Sequence, residues 1–593
     1  MPADADTGHY NAHVQRRTAL ALEVLFVAAL CGISLAAVWG HQKDDSPTLD
    51  ESYHLFAGSE YLSDGTYWLN LEHPPLIKDL GAGALRGLRL VSPSLGHAPL
   101  DQSPHGNYAR FLYGNRVPAH VIVSEGRRPF PWLLAALVVL VYIVTRQAFS
   151  RPAAPLAAGL IALEPNFVAN AGVVHTDVGA ALTMLAALAA GLFAARRNHV
   201  GWWLLTGLLL GLSLATKFSA VFLVPVVLLL PLFSWALDSP RPPLPVLRDR
   251  FVGAAAAVAV AFLVVWGTYA LNMRAMTPEN ARGAEQDFLR RRGADAKTLA
   301  RFARLADFAP PLGHYAAGLE GISLFSRNGR GANYFRGRIS ESGFPAYFPV
   351  AFLIKTPPAL LILVALLPFL ARRDLLSYQT LGFLLPAAGL LIMAVGSKFN
   401  IGVRHILPLY PLLVIPAAGA AARRLGTRAL AALTSVLLAS AGVSLASIHP
   451  HEFTYFNSFV GGPARGIEWL SDSNLDWGQD LKRLSDFLRA KGWEKDTTVV
   501  AYSGVATNYY LPEARLLLPG EPLRPGRYAV SALVETVGRP FVATLEGAAE
   551  GEHVAELVGR LHRSGRRLAT VGNSITIWEL PPEPAEPGAT GPR

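Results

Sequence analysis

The sequence predicts a mainly α-helical, polytopic membrane protein with about eleven transmembrane helices and a small C-terminal α/β domain. Three observations carry this expectation. Apolar residues make up 51% of the 593 positions and charged residues only 16%, against a usual share of about 25%. Apolar runs that approach or exceed ~18 residues recur along the chain, long enough to cross a ~30 Å hydrocarbon core. After residue 447 that character stops and short alternating runs take over. A soluble chain of this length would instead read as several domains with amphipathic helices. The net charge of +10 points away from nucleic acid, because most of the excess is Arg at the ends of apolar runs, where the positive-inside tendency places it. The single cysteine, Cys31, lies in the first span, which leaves no internal disulfide and no cysteine-based metal site.

Residues 1–18 are polar and end in Arg16-Arg17, a cytoplasmic tail. A first span at about 19–40 lacks a small-residue cleavage signature and reads as a retained anchor. Residues 41–128 form a long polar outer loop, too long for a connector. Spans follow at about 129–149, 152–172, 176–195, 201–216, 219–237 and 251–271. A second outer loop covers 272–345, and spans resume at about 346–371, 376–396, 402–420 and 427–447. With the N-terminus inside, every short inner connector carries arginine (Arg146 and Arg151, Arg196-Arg197, Arg241 with Arg248 and Arg250, Arg372-Arg373, Arg423-Arg424), so the topology is self-consistent. Residues 19–447 thus form the transmembrane domain and 448–580 an extracytoplasmic α/β domain. In the latter, an amphipathic helix is expected from Trp477 to Lys491, strands near Thr497–Tyr502, Tyr528–Leu533 and Ser574–Trp578, and a helix at Val554–Ser564. The Pro- and Gly-rich stretch 581–593 reads as a disordered tail.

The candidate chemistry gathers on the outer side. Asp50-Glu51 follows the first span; one carboxylate there suits a general base for an acceptor hydroxyl, and the pair equally suits the cap and first turn of an interfacial helix. In Glu72-His73-Pro74-Pro75, with Lys78 one turn later, the prolines fix a bend that holds the flanking side chains. The ammonium of Lys78 then either meets a phosphate or snorkels to headgroups. Glu164-Pro165-Asn166 and His175-Thr176-Asp177 bracket an outer turn, and ionisable groups at membrane depth are functional candidates by default. Asp177 either caps its helix or, with Asp50 or His73, binds a divalent cation; oxygen and imidazole ligands would suit Mg or Mn. Lys217, Lys398, Arg404 and His405 interrupt apolar sequence on the same side, where a lipid phosphate would balance them. His449-Pro450-His451-Glu452 has metal-ligand types, but the proline makes shared ligation awkward. Ser473-Asn474-Leu475-Asp476-Trp477 reads as a capped helix start. No dinucleotide, phosphate-loop or serine-hydrolase motif is present.

Taken together, the acidic pair after the first span, Glu72 to Lys78, Glu164-Pro165-Asn166 through Thr176-Asp177, and Arg404-His405 with Leu407-Pro408-Leu409-Tyr410-Pro411 resemble the protein O-mannosyltransferase group. That group is the phospholipid carrier-dependent, GT-C-fold branch (family 39) that includes the aminoarabinose transferase of lipid A. The resemblance spans roughly residues 19–447, at four separated places in the right order. It implies an inverting glycosyltransferase of the inner (plasma) membrane, moving a monosaccharide from a polyprenyl-phosphate carrier to an acceptor hydroxyl on a protein, lipid or glycan at the outer face. Carried over, Asp50 is the base with Glu51 beside it. Glu72, His73 and Asp177 line the site, and Lys78 and Arg404 serve the phosphate. The chain departs from the eukaryotic mannosyltransferases in lacking an inserted β-trefoil-like domain, which leaves the acceptor open. A single carboxylate suffices because a polyprenyl phosphate is already a good leaving group, so cations or a metal replace the second acid. The alternatives are a transporter or flippase for a lipid-linked sugar, which predicts mirrored inner charges and related halves, and a non-catalytic envelope scaffold.

Overall fold

A computed structural model of the chain describes residues 4–91, 104–237, 241–329, 331–500, 504–517, 521–545 and 548–582; the tail 583–593 lies outside them. The protein is mainly helical. Among the described residues, seven helices are long and apolar enough to cross a membrane: Arg17–Gln42, Ala119–Ala148, Thr176–Arg197, Phe218–Leu237, Leu244–Asn272, Tyr378–Val395 and Thr427–Ile448. The first continues N-terminally to Asp4, so most of the polar tail is helical. The pair Tyr347–Lys355 and Pro358–Leu370 is apolar enough when taken together but is bent by 118°, the shape of a broken span or a re-entrant loop.

Proline interrupts several of the expected spans. Pro357 stops the Tyr347 helix because a proline lacks the N–H and restricts the residue before it. Pro165 divides the 152–172 stretch into Ala154–Ala162 and Pro165–Ala171, with Glu164 capping the second through the Phe167 amide at 2.8 Å. The 402–420 stretch opens as a 3₁₀ turn at Val403–Ile406 and becomes an α-helix only at Leu409, after Pro408. These breaks place irregular backbone, and the side chains it carries, at one end of the bundle.

The bundle packs around one continuous apolar core. Val200–Thr216, at 17 residues a shorter apolar helix, lies between Thr176–Arg197 and Leu244–Asn272. A Cβ on Gly207 or Gly211 would stand 2.5 Å from the Ala257 carbonyl or the Val264 side chain, so the four-residue glycine spacing is what lets these backbones close.

Strands β1 (Asn333–Phe335) and β2 (Arg338–Ser340) form a small antiparallel hairpin. The C-terminal domain is a five-stranded sheet built from β3 (Thr497–Val500), β4 (Arg515–Leu516), β5 (Gly526–Ser531), β6 (Arg566–Val571) and β7 (Ile575–Leu580), in the order β4-β3-β5-β7-β6. The three strands to the β4 side run parallel, and β7 is antiparallel to both its neighbours. Leu481, Leu484 and Leu488 cover one face; Val534, Val554, Leu557 and Leu561 cover the other. The expected helix at 477–491 begins only at Leu481, which leaves residues 472–480 as a loop against the helical bundle. Arg483 ties this region to the segment that follows the first helix, bonding Asp45 at 2.5 Å and Asp480 at 2.7 Å.

Candidate active site

Three breaks in helical structure meet at one end of the bundle. Thr48 begins the Leu49–Asp64 helix and presents Asp50 in its first turn. The turn before Thr176 presents His175 and Asp177. The 3₁₀ turn Val403–Ile406 presents Arg404. Arg404 is the hub: one Nη1 donates to His175 Nε2 at 2.9 Å and faces Asp177 Oδ2 at 3.4 Å, Nη2 lies 3.5 Å from Asp50 Oδ2, and Nε donates to Ser473 Oγ at 2.9 Å. Its guanidinium lies 4.1 Å above the Trp477 ring, a contact that supports a desolvated cation. His175 Nδ1 meets Asp177 Oδ2 at 2.6 Å and its Nε2 lies 3.3 Å from Asp50 Oδ2. Lys217 bonds the other Asp177 oxygen.

These groups open onto a cavity of about 920 Å³ lined by Asp50, His54, His73, Lys217, Arg404 and Asp472 among others. Asp177 is fully buried, whereas the Asp50 side chain keeps 30% of its exposure, so Asp50 is the carboxylate that faces the cavity. Burial alone would push its carboxyl up. The contact with His175 and the charge of Arg404 outweigh burial and hold it at about 2. Burial, reinforced by His175, pushes His54 and His73 well below the usual imidazole range, so both are neutral at pH 7.

The structure brings Asp50, His73, Asp177, Lys217 and Arg404 together, with Glu72 and His405 on the same cavity wall. Glu72 is ion-paired to Arg292, and His405 Nε2 has no partner among the described residues. Three expected residues are placed elsewhere. Glu51 is fully buried and receives Arg127 Nε and Nη2 at 2.7 and 2.6 Å, the Val174 amide at 2.9 Å and the Thr48 amide at 2.8 Å. It is a structural anchor with no oxygen left for substrate. Lys78 is buried under Tyr61 and Tyr67 and donates to Tyr61 Oη at 2.9 Å and the Asn70 carbonyl at 2.7 Å. It does not line the cavity, because the Pro74-Pro75 bend turns its helix inward. Lys398 is exposed, and its backbone pairs with Ser326 and Asn333.

Two features escape sequence reasoning. Ser473 and Trp477 grip Arg404 from the 472–477 loop, whose Ser/Asn/Asp pattern also fits an ordinary helix cap. His54 lies between His73 and His175, with ring centroids 5.1 Å from each; its position one helical turn after Asp50 is the signal that could have found it.

The architecture decides the fold. An archaeal oligosaccharyltransferase from Archaeoglobus fulgidus superposes with a TM-score of 0.51 at 13% identity, over 89% of this chain and 72% of that one. This is the GT-C glycosyltransferase fold. ArnT from Cupriavidus metallidurans, solved bound to undecaprenyl phosphate, aligns over 96% of this chain and 99% of its own with a TM-score of 0.47 and 13% identity. The Saccharomyces cerevisiae protein O-mannosyltransferase Pmt1-Pmt2 complex, bound to the sugar donor, aligns over 43% of this chain and 34% of its own at 23% identity and a TM-score of 0.34. Residues 130–269 match the family of dolichyl-phosphate-mannose-protein mannosyltransferases, a stretch that contains Asp177 and Lys217 and excludes Asp50 and Arg404. No curated protein matches the chain significantly. The superposition thus gives the GT-C fold, and the similarity to the mannosyltransferase family covers residues 130–269.

Proposed function

We propose that this GT-C protein is an inverting glycosyltransferase that moves a monosaccharide from a polyprenyl-phosphate carrier to an acceptor hydroxyl at the outer face of the inner (plasma) membrane. In this reading the N-terminus is cytoplasmic and the sheet domain extracytoplasmic. The observation that carries it is the partly exposed Asp50 carboxylate on a deep cavity, held ionised beside Arg404 and with Lys217 on the same wall. At the moment of attack Asp50 acts as base toward the acceptor hydroxyl. Arg404 and Lys217 stabilise the negative charge that develops on the departing phosphate, the electrostatic role that preorganised cations fill best. Glu72, His73 and His405 border the sugar and phosphate. The apolar wall, including Phe288, Leu319 and Phe325, receives the carrier's tail.

A divalent cation fits this reading through a different donor set from the one expected. Asp177 has both oxygens committed to Lys217 and His175. His54, His73 and His175 instead offer ring nitrogens within 4.8 Å of one another; both His54 nitrogens are buried without a partner, whereas His175 would have to exchange a contact with Asp177 or Arg404 for the ion. Three imidazoles suit zinc better than magnesium or manganese, which prefer oxygen. Such an ion would add positive charge beside the leaving phosphate. The test of the function is to incubate purified protein with labelled polyprenyl-phosphate sugars and cell-envelope fractions. Label entering an envelope component supports the reading, and failure with every carrier sugar refutes it.

A further inference from the structure

We propose that Asp472 takes up and holds the proton that the acceptor hydroxyl releases during transfer. The proposal rests on the glycosyl-transfer reading above. Asp472 lines the same cavity as Asp50. Both lie near one guanidinium: Arg404 Nη2 is 3.5 Å from Asp50 Oδ2, and Arg404 Nε bonds Ser473, whose chain neighbour is Asp472. The Asp472 Oδ1 accepts the Ser473 amide at 2.6 Å, and Oδ2 has no hydrogen bond among the described residues. The backbone of Asp472 is left-handed, at φ 56°, a region that residues other than glycine seldom adopt and that recurs at functional sites.

The loop around it is rigid. The Asp472 carbonyl accepts the Leu475 and Asp476 amides at 2.8 Å each, Ser473 Oγ donates to the Ile401 carbonyl at 2.8 Å, and Asn474 Oδ1 accepts the Val403 amide at 2.9 Å. Asp476 in the same loop is different: its oxygens accept the Gly478 and Leu533 amides at 3.1 Å each. It joins the loop to the sheet domain and has no oxygen to spare. Asp472 is therefore the carboxyl held in place with one oxygen open to the cavity.

The leaving phosphate needs no acid, but the released proton needs a resting place. Asp50 can draw the hydroxyl proton at the moment of attack, but a group ionised down to about pH 2 cannot keep it. Around Asp472, burial, Asp50 and Asp476 favour the protonated form, while the Ser473 amide and Arg404 favour the carboxylate, and the balance leaves it at about 6; the Tyr347 hydroxyl faces it from the Tyr347–Lys355 helix. Two carboxyls whose surroundings push them apart divide acid–base work between them. In the step, the acceptor oxygen uses the electron pair of its O–H bond to form the new bond to the anomeric carbon. The bond from that carbon to the phosphate oxygen breaks, and its pair leaves with the polyprenyl phosphate. The proton ends on Asp472 and passes to water in the cavity.

The test compares wild type, Asp472→Asn and Asp472→Gly as full-length protein in lipid nanodiscs, with a labelled polyprenyl-phosphate sugar and the acceptor fraction. Asparagine and glycine both accept a left-handed backbone, so the loop survives without the carboxyl. Both variants should lose roughly 10²–10⁴-fold in kcat, keep donor affinity within about twofold, and lose the acid limb of the kcat–pH profile near pH 6. Wild-type kcat with an unchanged acid limb in either variant overturns the proposal. So does a loss of donor affinity or thermal stability as large as the loss of kcat, which marks Asp472 as scaffold. If the wild type itself transfers nothing, the functional reading has failed, and this proposal falls with it.

Discussion

Glu51 and Asp50 are adjacent in sequence, and the structure assigns them opposite jobs, so replacing each by its amide separates the two. In Glu51→Gln, the carboxylate that receives both Arg127 nitrogens at 2.7 and 2.6 Å becomes an amide. Its NH₂ then faces either Arg127 or the Thr48 amide, all donors. The guanidinium of Arg127 keeps only the Asp45 and Ser46 carbonyls, at 3.2 and 3.1 Å. Two charge-assisted bonds are worth roughly 1.5–3 kcal/mol each, and leaving a buried charge unpaired costs about 3–5 kcal/mol in all. Thermal unfolding followed by tryptophan fluorescence in nanodiscs should therefore show a destabilisation of about 3–5 kcal/mol. The double variant Glu51→Gln with Arg127→Met should recover part of that, with a coupling of about 2 kcal/mol or more in the cycle. If Glu51→Gln unfolds like the wild type yet loses turnover as fully as Asp50→Asn, then Glu51 acts in the chemistry and the anchor assignment is wrong.

Asp50→Asn should keep donor affinity within about twofold and lose roughly 10²–10⁴-fold in kcat, read by filter binding and product formation. Because the Asp50 carboxyl is held below its ordinary value, its contribution to stability is fully present above about pH 4 and is lost as pH falls toward 2; unfolding of Asp50→Asn should be less steep over that window than unfolding of the wild type. Arg404→Lys should lose about 2–3 kcal/mol in kcat/KM, some 30- to 160-fold, because an ammonium cannot reach His175, Asp50 and Ser473 together or lie flat on Trp477. Lys78→Met should leave donor KM within about threefold while lowering stability by about 1–3 kcal/mol, through the hydrogen bonds it strips from Tyr61 and Asn70; a tenfold rise in KM would return Lys78 to the phosphate.

The convergence of Asp50, Asp177, Lys217 and Arg404 was legible in the sequence because each interrupts an apolar run on the same side of the predicted topology. A charge in such a place needs a partner, and the nearest partners are the other interruptions. The same logic misplaces Lys78 and Lys398. An apolar break says that a cation is balanced, not by what: tyrosine hydroxyls and a carbonyl satisfy Lys78 as well as a phosphate would, and Lys398 simply reaches solvent. Arg127 was hidden for a related reason. It precedes a span, where arginine is unremarkable, and only the folded chain shows that it crosses 76 residues to neutralise Glu51. The breaks within the expected spans were not legible because hydropathy sees apolar length and not the backbone: Pro165, Pro357 and Pro408 each interrupt a stretch that composition alone would carry straight through.

The 472–477 loop shows the deeper limit. Ser, Asn and Asp before an amphipathic run are what a helix cap requires, and the same side chains serve equally well to grip a guanidinium. Local pattern cannot separate the two, since the deciding bonds run from Ser473 to Arg404, 69 residues away, and from Asn474 to Val403, 71 away. What the loop gains from leaving the helix is reach. By starting the helix at Leu481 rather than Trp477, the chain lays Trp477 beneath Arg404 and turns Asp472 through a left-handed residue into the cavity. A helix through 472–477 would hold neither. The sheet domain that follows is thus joined to the site by the element that completes it, which is why changes at Asp476 or Leu533 should be felt at Arg404 even though neither touches it.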